Sequence, residues 1–345
     1  MRSLSQKDTN VQKKSDFSIV CCHHTGELLY KFLDSIRKSV GVTYEIIVIT
    51  SDSSMMNKLD DCIVFYTTVM PAEKRNIGVT FARGKYLAFF DDDTEIDSDC
   101  LKYYKFYLDH LPNIGMVYGK LHKADEQNRF DEAGGFMTET GFIWSRAGQN
   151  IVDDGQYDIS VPVLAGKSAS CAIRREVFDE VMGFDESFGI LGEETDLSWR
   201  VWLKGHEVYF IPEARGIHYF NTKFKPVKQY YNSERVQYNG CRNYLTMLLK
   251  NLGKEHLWIV PIHASIWFTA GLAMIGTGKL RQGWNIWRGL GYVMSHFSEI
   301  MQKRRLIQQN RKIDERTLWA IISRSTPRGY YTQRFKRYLS IGLHG

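Results

Sequence analysis

Apolar positions in the first hundred residues fall into short continuous runs separated by stretches of helical spacing. Phe17-Ser-Ile-Val-Cys-Cys22 reads as a buried strand, and Gly26 to Ser39 repeats Leu29, Phe32, Leu33 and Ile36 on one helix face. Glu45-Ile-Ile-Val-Ile-Thr50 is a second, β-branched strand that ends in the turn-like Ser51-Asp-Ser-Ser54, and Cys62 to Thr67 is a third. Pro71 opens a helix that Gly84 stops after Arg83, because proline is well tolerated at the first helical position. Tyr86-Leu-Ala-Phe-Phe90 is a fourth strand and runs directly into Asp91-Asp92-Asp93. Strands alternating with helices predict an α/β fold with an open, mostly parallel sheet flanked by helices, and such sheets bind ligands beyond the carboxyl ends of their strands.

From about 112 to 192 the chain is glycine-rich and less regular, with antiparallel strands expected at Gly115 to Lys123 and Ser168 to Arg174. Val208-Tyr-Phe-Ile211 before Pro212 is strand-like, and beyond Phe220 long amphipathic and apolar stretches take over. Three regions are predicted: a flexible leader at 1–16, a catalytic unit at 17–221, and a helical, basic, membrane-associating region at 222–345. At roughly 150 residues per domain, 345 residues suit this division.

Composition narrows the class. Hydrophobic residues at 43% and charged residues at 24% exclude a disordered chain. Six cysteines without paired spacing exclude a disulfide framework or a four-cysteine zinc site, so a reducing compartment is expected. The net charge of +6 is unevenly placed. From Gln302 onward eleven Lys and Arg side chains face only Asp314 and Glu315, and the preceding residues are therefore mildly acidic. A basic end on an acidic body points to an anionic membrane surface rather than to nucleic acid.

Leu257 to Gly278 carries no Asp, Glu, Lys or Arg and has the ~20 residues that a bilayer crossing needs. A single crossing would send the basic tail to the far side, against the positive-inside rule. A helix lying in the interface, or a re-entrant hairpin with Gly283–Met301, avoids that conflict, with Trp258, Trp267, Trp284 and Trp287 at headgroup level. The expected location is cytoplasmic, peripheral on the cytosolic face. The competing expectation is a helical subdomain packed on the catalytic unit or forming a homo-oligomer.

Two acidic clusters carry the candidate chemistry. Three consecutive carboxylates at a strand end repel one another unless a cation neutralises them, and hard oxygen ligands suit Mg²⁺ or Mn²⁺ beside a phosphate. Gly192-Glu-Glu-Thr-Asp-Leu-Ser-Trp-Arg200 places Glu193, Glu194 and Asp196 in the first turn of a helix, where the dipole favours ionised carboxylates able to act as a base.

The order of these features resembles the family 2 glycosyltransferases with a GT-A fold, of the non-processive, rhamnosyl- or galactofuranosyltransferase-like kind, over roughly residues 17 to 250. The resemblance is carried by Phe17–Cys22, Arg75-Asn-Ile-Gly78 with Ala82-Arg-Gly-Lys-Tyr86, and Phe89-Phe-Asp-Asp-Asp-Thr94. It continues through Arg174-Arg-Glu-Val-Phe178, Gly183-Phe-Asp-Glu186, Glu193–Arg200, Pro212 with His218, and Arg242-Asn243 with Lys250-Asn251. It implies an inverting transfer of one sugar from a nucleotide-diphosphate donor to a hydroxyl of a free or lipid-linked glycan. Asp91, Asp93 and His218 would hold Mn²⁺ or Mg²⁺, and Glu194 would be the catalytic base. Thr25, Asp52, Arg75, Asn76, Asp91, Asp92 and Arg200 would face the donor, and Glu193, Asp196 and Trp199 the acceptor. This chain has Glu194 where the family usually has Asp, and Thr50-Ser51 where it usually has Asp-Asn, which leaves donor base and sugar open. Two alternatives stay open beside it: a transferase acting on polyprenyl phosphate itself, and a non-catalytic scaffold that binds nucleotide or glycan.

Overall fold

The computed structural model describes residues 15–24, 26–124, 128–147, 151–219, 234–326 and 328–332. The leader up to residue 14, Thr25 and the boundary placed near 222 lie outside the described residues.

The β-branched runs form the parallel half of one sheet. β1 (Phe17–His23) lies between β2 (Tyr44–Thr50) and β4 (Tyr86–Asp91), and β3 (Cys62–Tyr66) continues beyond β2, all four parallel. Alternation along these strands feeds two cores. Ile19, Cys21, Ala88 and Phe90 join one, with α1 (Leu28–Arg37) and α3 (Cys100–His110). Val20, Leu87 and Phe89 join the other, where α2 (Pro71–Phe81) covers the sheet. This two-residue period is what a sheet covered on both faces requires.

The second half of the sheet is mixed. β11 (Ser170–Arg174) runs antiparallel between β4 and β6 (Ile114–Lys123), and β6 pairs parallel with β12 (Glu207–His218). β5 (Thr94–Ile96) pairs with β12, β7 (Phe130–Glu132) with β6, and β10 (Val161–Pro162) with β12 at the edge. β8 (Gly135–Met137) and β9 (Ile143–Ser145) form a separate ribbon. The strand expected to stop at Ile211 runs on to His218. A register irregularity between Ile211 and Arg215 accommodates Pro212, whose missing N–H cannot join a regular ladder.

Short α4 (Arg175–Glu180) and α5 (Glu193–Leu203) precede the C-terminal helices α6 (Glu234–Asn251), α7 (Ile259–Gly276), α8 (Leu280–Ser295), α9 (Phe297–Gln309) and α10 (Glu315–Ile322). These helices are not a separate body. Leu248, Leu252, Ile259, Ile307, Leu318 and Ile322 belong to the same core as Val20 and Phe89.

Candidate active site

The register of the parallel strands brings three carboxyl ends together. His23 pairs with Thr50, and Cys22 with Asp91, so the loops after β1, β2 and β4 open side by side. Lys74 ties two of them, donating to the His23 carbonyl at 2.8 Å and to Ser51 Oγ at 2.7 Å. Asp52 caps the turn after β2 by accepting from the Ser54 N–H at 2.9 Å. Asp92 accepts from the His24 N–H at 3.1 Å. Burial, with Asp93 and Asp91 beside it, pushes the Asp92 carboxyl up to about 7. The counter-charges nearest this crowded triplet are Arg75 on Asp91 and His218 on Asp93.

His218 arrives by a different route. β12 pairs with β5 so that His218 lies opposite Thr94, next to the acidic triplet. His218 Nε2 stands 3.2 Å from Asp93 Oδ1, and Nδ1 stands 2.8 Å from Asp131 Oδ2. Burial opposes a charge on this ring, but Asp131 and Asp93 together hold its pKa up to about 10. Ligand atoms of Asp91, Asp93 and His218 lie within 4.8 Å of one another. Opposite ligands at about 2.1 Å from one ion are about 4.2 Å apart, so the trio would have to close by a few tenths of an ångström to hold one divalent cation, whose charge its two carboxylates suit.

α5 closes the other side. Leu191 (φ 75°) and Gly192 (φ 86°) both take left-handed backbone immediately before Glu193, a strained conformation for leucine. Asn243 of α6 holds this turn, donating to the carbonyls of Leu191 at 2.7 Å, Ile190 at 3.0 Å and Phe188 at 3.1 Å. Of the eleven residues of α5, Glu194 alone is not buried. Its own partial burial, and the charge of Glu193 beside it, raise its carboxyl well above the ordinary range. Arg75 joins the two acidic clusters. It donates to Glu193 Oε1 at 2.7 Å, to Asp91 Oδ1 at 3.1 Å and to Ser168 Oγ at 2.7 Å.

Several residues expected to face ligands turn inward instead. Glu193 is 3% exposed and spends one oxygen on Arg75, so it offers no open acceptor contact. Asp196 is fully buried between Arg200 Nε at 2.9 Å, Lys250 Nζ at 3.0 Å and Asn251 Nδ2 at 2.9 Å. Arg200 is therefore turned into the interior, with Nη1 donating to the Val181 carbonyl. Trp199 lies fully inside the core. Asn76 is taken by Phe184, bonded to both its carbonyl (2.9 Å) and its N–H (3.0 Å), rather than by a donor. For the α5 residues the cause is that the helix is wedged between the sheet and α6, which leaves only Glu194 open. Arg75 likewise has its terminal nitrogens engaged and positions acidic groups. Lys74 and Asp131 were missing from the sequence reading, since no local pattern connects them with residues 23, 51 or 218.

Residues 18–182, just under half of the chain, match the family model described as Glycosyl transferase family 2. Two solved structures share the fold. GalNAc-T7 with UDP, GalNAc and Mn²⁺ is 16% identical with a TM-score of 0.60, covering 89% of this chain and 57% of that one. S. aureus TarS 1-349 in complex with UDP-GlcNAc is 15% identical with a TM-score of 0.55, covering 94% of this chain and 90% of that one. The chain thus spans little more than half the length of the first of these. No curated protein sequence matches it. The family match and the shared fold support the family 2, GT-A resemblance read from the sequence.

Proposed function

We propose that the protein is a metal-dependent, inverting glycosyltransferase that moves one sugar from a nucleotide-diphosphate donor to a hydroxyl of a glycan acceptor. The observation that carries the reading is that Arg75 bonds both Asp91 of the Asp91, Asp93 and His218 cluster and Glu193, the residue directly before Glu194, which is the open residue of α5.

In this reading Asp91, Asp93 and His218 hold the cation, and their one imidazole among carboxylates favours Mn²⁺ over Mg²⁺. The bound cation supplies Lewis-acid neutralisation of the diphosphate leaving group. Asp92, fixed by the His24 N–H, faces the donor's ribose or sugar, and Asp52 at the end of β2 faces the nucleotide. Arg75 keeps Asp91 and Glu193 in place rather than gripping phosphate itself. Glu194 takes the acceptor hydroxyl's proton as that oxygen attacks the anomeric carbon on the face opposite the leaving group. A raised pKa suits this role, because a carboxylate of higher basicity removes a hydroxyl proton more readily. One displacement with one base inverts the anomeric centre, as the carboxylate-geometry argument for glycosidases implies.

The test is a thermal-shift screen of UDP-, GDP- and dTDP-sugars with Mn²⁺, followed by turnover of the stabilising donor in isotope-labelled form. A bound donor raises the melting temperature by mass action. Release of nucleoside diphosphate that requires both acceptor and metal supports the reading. No stabilisation by any donor, with or without metal, refutes it.

A further inference from the structure

The C-terminal helices carry a surface that the transfer chemistry does not use. α7 is buried along one side only. Ile259, His263, Trp267, Gly271 and Met274 face inward, while Trp258, Ile262, Phe268 and Leu272 form an exposed stripe on the opposite side. On α8, Leu280, Trp284 and Met294 are exposed at 59% or more. The two helices pack against each other, and the ring of Phe268 stacks on Trp287 of α8 at 5.7 Å, linking the outer edges of the pair. Contiguous apolar exposure of this kind is a docking surface.

The segment Lys254–Gly276 is long and apolar enough to cross a bilayer, with a mean hydropathy of 1.6. Its inner face argues against crossing. His263 Nδ1 donates to the Thr140 carbonyl at 2.7 Å, and its Nε2 accepts from Trp267 Nε1 at 2.9 Å. Phe142 packs on the His263 ring at 4.1 Å and belongs to one cluster with Cys241, Trp267, Ile286 and Val293. A spanning α7 would have to break away from Thr140, Phe142 and α6. A helix fixed by one face to a folded body can only lie flat on a membrane.

Charge identifies the occupant. From His256 to Ser298 there is no Asp or Glu, while Lys279, Arg281 and Arg288 lie in or beside the exposed stripe of α8. A second copy of the chain would meet this face with the same cations and no anion. Tryptophan, leucine and arginine mixed on one face match the headgroup layer, where aromatic rings and cationic groups both settle. We propose that the α7–α8 hairpin docks in the plane of an anionic lipid surface as a monotopic anchor. An acceptor carried on a lipid would then be presented to the site from the surface on which the protein lies. The docking itself does not depend on the transfer reading.

The experiment is co-sedimentation of the full chain, without nucleotide, with vesicles of phosphatidylcholine alone or mixed with phosphatidylglycerol. Binding confined to the anionic vesicles and weakened by salt is expected. Arg281→Gln should lower the affinity about fivefold, as expected for one cation near the surface. Trp284→Ser should lower it by about tenfold, through loss of buried apolar area. Equal binding to both vesicle types, or to neither, overturns the proposal. So do wild-type affinity in both variants, a concentration-dependent oligomer that shields Trp284, or resistance to salt and alkaline extraction, which would mark a spanning segment. Because no sugar nucleotide is present, failure of the transfer reading leaves this result interpretable.

Discussion

Asp131 Oδ2 accepts a hydrogen bond from His218 Nδ1 at 2.8 Å, which turns the opposite nitrogen of the ring toward Asp93. Lys167 pins the same carboxylate from its other oxygen at 2.5 Å. A carboxylate behind a ligating histidine fixes the tautomer and raises the basicity of the ligand, and its loss typically costs 10–100-fold in metal affinity. Asp131→Ala should therefore weaken Mn²⁺ binding by about 10–100-fold. Asp131→Asn, which keeps an acceptor for Nδ1, should lose less. Mn²⁺ titration followed by electron paramagnetic resonance separates the two variants without any turnover, and equal affinity in Asp131→Ala and wild type would remove Asp131 from this role.

Glu194 is singled out by exposure, and its chemistry can be separated from donor binding. Glu194→Gln keeps the shape and the polar contacts of the first turn while removing the basic oxygen. Turnover should fall by ~10²–10⁴, the usual contribution of a positioned base. Donor affinity, read by calorimetry with Mn²⁺, should stay within about twofold, because the residue serves the transition state rather than the ground state. A variant that turns over like wild type would take Glu194 out of the mechanism.

The pH profile follows from the same carboxyl. Burial and the neighbouring Glu193 raise its pKa above the ordinary 4.5, and a base works only in its ionised form. Activity should therefore be lost as pH falls through the raised value, which places the acid limb of kcat above the range of a free glutamate. In Glu193→Gln the neighbouring charge is gone while a polar contact to Arg75 is retained, so the limb should move to lower pH. A profile of kcat against pH for both proteins checks the sign. An upward move, or none, contradicts the assignment of the limb to Glu194.

The parallel strands and the acidic triplet were legible in the sequence because β-branched runs ending in acidic or polar turns report local structure, whereas His218 was reached only through the family resemblance. β1, β2, β3 and β4 fall within a residue or two of their expected limits, and Asp91, Asp93 and His218 do meet. What could not be read is tertiary. The first turn of α5 contains three carboxylates, and nothing local shows that Asp196 is buried, because Lys250 and Asn251 lie more than fifty residues further on. The pairs Arg242-Asn243 and Lys250-Asn251 carried the family resemblance without an assigned task. Both prove to hold the segment from Asp185 to Asp196 in place, Arg242 through the Ser187 and Phe188 carbonyls. Asp131 escaped for the same reason, since it comes under His218 through the pairing of β6 with both β7 and β12.

Lys250 is the group on which that segment depends. Its ammonium is 1% exposed and pairs with Asp196 at 3.0 Å and with Asp185, joining α6 to the loop and helix that present Glu194. Lys250→Met fills the space but leaves two carboxylates without their main cation. Breaking a buried ion pair from one side costs about 3 kcal/mol or more, so urea unfolding at neutral pH should show a loss of that size. The pH dependence identifies the cause. Although burial opposes it, the Lys250 charge holds the carboxyls of Asp196 and Asp185 below their ordinary 3.8 in the folded protein. They therefore contribute stability above that value, and it is lost as pH falls through the lower folded pKa. In Lys250→Met, Asp185 keeps Lys303 at 2.6 Å and Asp196 keeps Arg200 at 2.9 Å, so both carboxylates gain less from ionisation than in the wild type. The stability gap between variant and wild type should hold from neutral pH down to about 4 and narrow as pH falls below the ordinary 3.8 toward the lowered folded values. A constant gap would mean that Lys250 acts through packing of its alkyl chain against Phe188, whose ring its ammonium overlies at 4.8 Å, and not through charge.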